Sequence, residues 1–247
     1  MKPIMNTYVI VIIVLFHLIN YSSISYAQQH SIGLTGGYNA GTFFNFSKKP
    51  GYDANYQLKS GFSVASFYET KMDSISYLRV ELQYRFQNAG MEIYRNAGHA
   101  SFYKNLDYSL HLLNLNLLYL FRIVDRKPFK ANILFGPTFS YMINTFARGN
   151  GWDYRLVTQI DTSGNPVSFI TTQNWEKDER NSKDLSRFTV GVDLGLEFII
   201  PVRNQLDFLI QNRYTILITG VSKMKGTRPT SLFTGNLQVG LRYNLKK

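Results

Sequence analysis

The stretch FTVGVDLGLEF, Phe188 to Phe198, decides the fold. Apolar side chains fall on Phe188, Val190, Val192, Leu194, Leu196 and Phe198, with Thr189, Gly191, Asp193, Gly195 and Glu197 between them. Successive side chains of a β-strand point to opposite faces. As a strand, this segment has one wholly apolar face and one that is polar or glycine. Strands of soluble proteins run to about 5–6 residues, whereas a tilted strand needs about 9–11 to cross a bilayer. The charged residues sit on the face opposite the aromatic one, which suits a lipid-facing wall around a polar interior.

Outward from this segment the alternation repeats. Leu78, Val80, Leu82, Tyr84 and Phe86 enclose Arg79, Glu81, Gln83 and Arg85. Phe129 to Tyr141 and Leu237 to Leu245 repeat it, and less regular versions occupy 31–41, 56–68, 108–121 and 206–217. In 108–121 the apolar face is Leu113, Leu115, Leu117, Tyr119 and Phe121, opposite Asn114 and Asn116. These are eight strands. The gaps 69–75, 122–128 and 199–205 are about seven residues each, while 42–55, 88–107, 144–185 and 218–234 are about 14, 20, 42 and 17. Short turns at one end and long loops at the other are the outer-membrane pattern. In lipid every backbone polar group must be paired within the protein, so the strands must close into a ring. Pro137 removes one ladder donor and predicts a bulge or irregular pairing in its strand.

The rest of the composition narrows the class. The chain has 247 residues, 45% apolar and 17% charged, with a formal charge of +11 and no cysteine. General disorder is excluded by the apolar content. The missing cysteine excludes disulfides, thiolate zinc sites, cysteine nucleophiles and a lipid-modified N-terminal cysteine. Seventeen Tyr and 18 Phe against 2 Trp fit aromatic girdles on a lipid-facing wall. The basic balance alone would suit nucleic acid or an acidic surface. Residues 1–27 argue against nucleic acid, because they read as an export signal: Lys2, then the apolar run Tyr8–Ile19, then small and polar residues to Ala27. The alternative, a membrane anchor helix, would need about 20 apolar residues. The expected organisation is therefore a signal peptide over 1–27 and a barrel domain over 28–247, the latter carrying a charge of about +10 once Lys2 is lost.

The chain resembles the PorT-like outer-membrane β-barrel domains found widely in Bacteroidota. The resemblance is carried by IGLTGGYNAG (Ile32–Gly41), FSVASFYE (Phe62–Glu69) and LRVELQYRFQNAGM (Leu78–Met91). It continues through LLNLNLLYLF (Leu112–Phe121), ANILFGPTFSYMI (Ala131–Ile143), GLEF (Gly195–Phe198) and LQVGLRYNL (Leu237–Leu245). It departs from the family at Leu115-Asn116, where an Ile-Pro or Val-Pro pair is common. It departs again at the end, where Lys246 and Lys247 follow Tyr243 and Leu245 in place of a terminal aromatic. The resemblance implies an all-β fold: an eight-stranded antiparallel transmembrane β-barrel, an up-and-down meander like OmpX and OmpA, in the outer membrane. One subgroup of the family is needed for protein secretion and surface motility.

The alternation places Lys59, Arg79, Arg85, Lys130, Arg213 and Arg242 in the lumen with Glu81, Asp193, Glu197 and Asp207. An eight-stranded barrel holds little more than side chains or one small ligand, and unpaired charges are costly there. Two readings stand: a narrow anion-preferring pore, or a salt-bridged plug. The connection 144–185 holds both tryptophans, Trp152 and Trp175, together with the stretches Arg155–Ile160 and Pro166–Thr172, which could extend a hairpin above the membrane. It reads as a docking surface for a partner protein, or as a variable loop shielding the barrel mouth.

No catalytic, cofactor or metal residues are expected. Past the export signal the histidines are His30, His99 and His111. His99, near Ser101, is the sole candidate base, and no carboxylate is placed by sequence to orient it. The expected task is a non-enzymatic accessory or docking subunit of an envelope complex. The alternatives are a stand-alone structural or adhesion barrel, a small-solute channel, and a hydrolase built on His99. Expected partners are outer-membrane lipid including lipopolysaccharide, other envelope proteins through 144–185, and the barrel-assembly machinery during insertion.

Overall fold

A computed structural model describes residues 29–44, 52–97, 100–160, 163, 166–180, 185–218 and 231–245. The proposed export signal, 1–27, and His99 lie outside them. Among the described residues nine strands form: β1 (His30–Phe44), β2 (Tyr52–Lys71), β3 (Ser76–Ala97), β4 (Ala100–Arg126), β5 (Phe129–Ile160), β6 (Pro166–Arg180), β7 (Phe188–Arg203), β8 (Leu206–Leu217) and β9 (Ser231–Leu245). Eight of them close an antiparallel ring in the order β1-β2-β3-β4-β5-β7-β8-β9. The seam runs between the first and last strands, from His30 opposite Leu245 to Phe44 opposite Ser231. β6 stands outside the ring and pairs with the upper half of β5.

The faces divide as lipid demands. Leu194 and Leu196 are 58% and 43% exposed on the outer wall, while Asp193 and Glu197 on either side of them are fully buried. Outward-facing Leu34, Tyr38, Val64, Phe135, Leu237 and Val239 continue the apolar surface around the ring. The inner wall carries the polar set, and its upper part is closed by an apolar cluster that alternation did not foretell. Phe43, Met91, Leu106, Tyr108, Leu112 and Met142 belong to that cluster, with Phe43 and Tyr108 edge to face at 5.4 Å.

Two expected loops are largely strand. Over 88–107, β3 runs to Ala97 and β4 resumes at Ala100. Over 144–185, β5 continues to Ile160 and β6 returns from Pro166. For the second, the cause is a register shift at Ile143, where Met142 pairs with Leu112 but Asn144 pairs with His111. Below it even-numbered residues such as Ser140 and Met142 are buried, and above it Thr145 and Ala147 are. A one-residue slip flips every later side chain, so the alternation breaks although the strand does not.

Pro137 produces no such shift. The β4–β5 pairing lapses between Asn116–Thr138 and Tyr119–Phe135, and the register resumes unchanged. Proline removes a donor there but adds no residue. The register shifts lie elsewhere, between Leu58 and Gly61, at Ile143, between Arg122 and Val124, and between Pro201 and Arg203.

Glycine lets the seam close tightly. A Cβ on Gly37 would lie 2.0 Å from the Leu237 carbonyl oxygen, and one on Gly240 would lie 2.2 Å from that of Leu34.

The β2–β3 turn is tied by Asp73. Its Oδ1 accepts from the Ile75 and Ser76 amides at 2.8 Å each, and its Oδ2 accepts from the Ser76 hydroxyl. The Ser76 hydroxyl first, and then the Ile75 amide, hold this carboxyl below the ordinary carboxylate range. A depressed folded-state pKa gives a contribution present above the unfolded carboxylate value and lost as pH falls through the folded one. Amide exchange should therefore show Ile75 and Ser76 still protected at pH 4, with protection lost only in stronger acid. Loss already at the ordinary aspartate pKa would contradict the tie.

Candidate functional site

Two constellations stand out, one inside the barrel and one above it. Inside, a chain of alternating charge takes one residue from each of five strands. Asp207 on β8 accepts from Arg242 Nε and Nη2 at 3.0 and 2.7 Å. Arg242 on β9 donates from Nη1 to Glu69 Oε1 at 2.9 Å. Glu69 on β2 accepts from Arg79 Nε and Nη2 at 3.0 and 2.5 Å. Arg79 on β3 reaches across the lumen to Glu197 on β7, Nη1 to Oε2 at 2.7 Å. Its guanidinium also lies 4.1 Å over the Phe67 ring. Glu197 accepts further from Asn132 at 3.0 Å and Gln211 at 2.5 Å.

Arg242 reaches Glu69 over β1 because the β1 residue at that level is Gly33, which is paired with both Arg242 and Phe67. A Cβ there would strike the Phe67 ring at 2.3 Å.

A second group sits beside the first. Arg213 donates to Glu81 at 2.7 Å and approaches Asp193 at 3.9 Å. Glu81 also accepts from Asn116 at 2.8 Å, and Asn116 accepts from Thr138. Arg85 is fully buried and donates to Gln83 and Thr215 at 2.8 and 3.0 Å.

Lys59 and Lys130 stand apart from these groups. Lys59, expected in the lumen, sits in the register shift between Leu58 and Gly61 and instead meets Asp107 on the outward face at 2.5 Å, while Lys130 is partly exposed near the β4–β5 turn and pairs with Asp125 at 3.5 Å. Two inward charges escaped sequence reading. Glu69 continues the inward series Ser63, Ala65, Phe67 one step past the assigned strand end. Arg122 continues Asn114, Asn116, Leu118, Leu120 on β4 and stacks 4.6 Å over Tyr77. Following parity past the last apolar residue would have found both.

Each of the two described histidines meets a tyrosine hydroxyl. His30 is 2.7 Å from Tyr68 Oη, stacks on its ring and is paired within β1. His111 is 2.7 Å from Tyr84 Oη on the outer wall. Among the described residues no group of three or more His, Asp or Glu is gathered to hold a metal ion.

Above the barrel, β2 to β6 form one sheet whose outward residues line up in rows. The uppermost row that spans all five strands is Asp53, Tyr94, Tyr103, Trp152 and Asn174. Below it run Asn55, Glu92, Asn105, Asn150 and Glu176, and then Gln57, Gly90, Asp107, Arg148 and Asp178. Tyr103 stacks on Trp152 with centroids 6.4 Å apart and planes at 27°. Trp152 stacks on Tyr154 at 5.9 Å and 25°, and Tyr94 meets Trp152 edge-on at 6.3 Å. Glu92 accepts from Gln57 at 3.0 Å and from Asn55 at 3.4 Å. Trp175 has its backbone in β6 opposite Gly151, and its side chain lies outside the described part. Sequence reading placed Trp152 in a loop and missed its neighbours, because Tyr94 and Tyr103 meet it only through strand pairing.

The family model described as "Outer membrane protein beta-barrel domain" matches residues 26–222, more than half of the chain. No curated protein matches significantly. Similar solved structures include a major outer membrane protein from Thermus thermophilus, 11% identical, covering 89% of this chain and 100% of that one at a TM-score of 0.46. OprG from Pseudomonas aeruginosa is 12% identical, with 89% and 98% covered and a TM-score of 0.43. Neisserial surface protein A is 13% identical, with 87% and 97% covered and a TM-score of 0.39.

Proposed function

Because the chain belongs to the outer membrane protein β-barrel domain family and resides in the outer membrane, we propose that it serves there as a non-enzymatic docking subunit of an envelope assembly. The observation that carries this reading is β6. Among the described pairings this strand bonds only to β5, so its other edge offers a row of backbone donors and acceptors outside the membrane. An open edge is the usual template for a partner's strand. Its lower half, Glu176 to Arg180, is charged and blunts indiscriminate pairing.

The filled lumen supports an anchor rather than a channel. Arg79, Arg85 and Arg213 are fully buried, and the charge chain ties β3 to β7 across the bore. The resemblance to PorT-like domains, one subgroup of which is needed for protein secretion, is what suggests secretion as the assembly's task.

Mild-detergent co-purification tests the reading. A stoichiometric envelope protein should accompany the intact chain. It should be lost when residues 154–172 are removed and Asp153 is joined to Gln173 through Asn-Gly, while the barrel keeps its compact, heat-modifiable band. Recovery of no partner by the intact chain, or undiminished recovery by the shortened one, would overturn it. In planar bilayers the intact protein should leave conductance at background.

A further inference from the structure

The outward face of β2–β6 continues the lipid-facing wall upward, yet its chemistry changes in a fixed order. On β3 the lipid-facing series Leu78, Val80, Leu82, Tyr84 and Phe86 ends, Asn88, Gly90 and Glu92 follow, and then Tyr94 appears. On β5 the order is Tyr141, Ile143 and Phe146, then Arg148 and Asn150, then Trp152 and Tyr154. From Phe86 to Tyr94 is about 27 Å along the strand at its usual rise, or about 20 Å along the membrane normal at the usual barrel tilt. The headgroup layer on one side of a bilayer is only about 5–8 Å thick. These rings therefore stand above the lipid interface and are not its aromatic girdle.

At that height, facing sideways over the membrane, the neighbours of an outer-membrane barrel are the sugars of the outer-leaflet glycolipid. We propose that this face binds that glycolipid through its oligosaccharide, with Tyr94, Tyr103 and Trp152 as the stacking floor.

The residue types suit a neutral sugar. A pyranose has an apolar C–H face that packs on an aromatic ring, and an edge of vicinal hydroxyls. Tyr103, Trp152 and Tyr154 offer nearly parallel rings. The two rows below offer amides, carboxylates and one guanidinium, which bond hydroxyl pairs in forked geometry. Glu92 is already oriented by Gln57 and Asn55, and Arg148 faces Asp178 at 3.5 Å. No aliphatic side chain stands in those two rows, as the core of a protein interface would require. Five acidic groups, Asp53, Glu92, Asp107, Glu176 and Asp178, stand in the three rows against Arg148 and Lys59, which pair with Asp178 and Asp107 and leave Asp53, Glu92 and Glu176 in excess. That balance favours uncharged sugar over the phosphorylated lipid headgroup.

The test is a fluorescence titration of the whole folded protein, since both tryptophans, Trp152 and Trp175, lie on β5 and β6. The probes are purified lipopolysaccharide with its complete oligosaccharide, and lipid A alone. The complete glycolipid should shift the emission saturably and lipid A should not. Tyr103→Ala, which leaves Trp152 as reporter, should weaken binding about fivefold, the worth of one lost aromatic contact. Leu194→Ala on the lipid wall should leave it unchanged. Equal responses to lipid A and to the complete glycolipid would overturn the proposal. So would an unaltered Tyr103→Ala titration with the compact band intact, or a shift produced by a co-purifying protein and not by the glycolipid.

Discussion

Arg79→Met is expected to destabilise the barrel by about 3–5 kcal/mol, the cost of stranding buried charges by removing one partner. Methionine keeps the length and much of the bulk over Phe67 but leaves Glu197 without its ion pair and Glu69 with Arg242 alone. Urea unfolding in detergent, followed by the compact-to-extended shift on unboiled gels, measures the loss. Adding Glu69→Gln and Glu197→Gln to the same chain should recover most of it, because neutral amides need no counter-charge. Lys130→Met is the contrast: its pair with Asp125 is exposed and 3.5 Å long, so the change should be within about 1 kcal/mol. Equal effects of Arg79→Met and Lys130→Met would mean that the lumen is wet enough to screen its charges.

The second large effect is expected at the seam. Gly37→Val should cost about 3 kcal/mol, the upper range of overpacking. Its Cβ lands on the backbone of β9 rather than on a side chain that could swing away: 2.0 Å from the Leu237 oxygen and 2.6 Å from the Gln238 Cα. The two strands that close the ring must then part. Gly36→Ala is the neighbouring control, since its nearest atom would be the Ser63 oxygen at an ordinary 3.7 Å. Refolding yield of the compact band should fall sharply for Gly37→Val and hold for Gly36→Ala. Equal yields for the two would show that β1 and β9 lie farther apart than described.

How far the sequence reveals this molecule depends on what bathes each face. Where one face meets lipid and the other a polar lumen, as along Phe188–Phe198, alternation is forced and all eight crossing strands are legible. Above the membrane that contrast is gone, and at Ile143 the parity flips as well, so 144–154 and 173–180 read as loop although they pair, while Arg155–Ile160 and Pro166–Thr172, legible as a hairpin, do form one. The inward charges followed from parity, except Glu69 and Arg122 beyond the last apolar residue. Which charge meets which was not legible. Arg242 and Glu69 are 173 residues apart, and only ring closure with a glycine at position 33 makes them neighbours. The aromatic row is hidden for the same reason: Tyr94, Tyr103 and Trp152 belong to three strands.

The charge chain has a meaning for how the barrel is made. Glu69 and Arg79 face each other within the β2–β3 hairpin, and Asp207 and Arg242 within β8–β9. Each end of the polypeptide thus carries its own neutral couple before the two ends ever meet. Among the bonds that remain for the meeting is Arg242–Glu69, which forms only when β9 and β1 are in register. If β9 slid past β1 by one residue, Leu241 or Tyr243 would turn inward and the guanidinium would be pressed into hydrocarbon, at about 2–4 kcal/mol near the midplane and less toward the edge. A barrel zipped one notch out of step would lose that bond and be left open to correction.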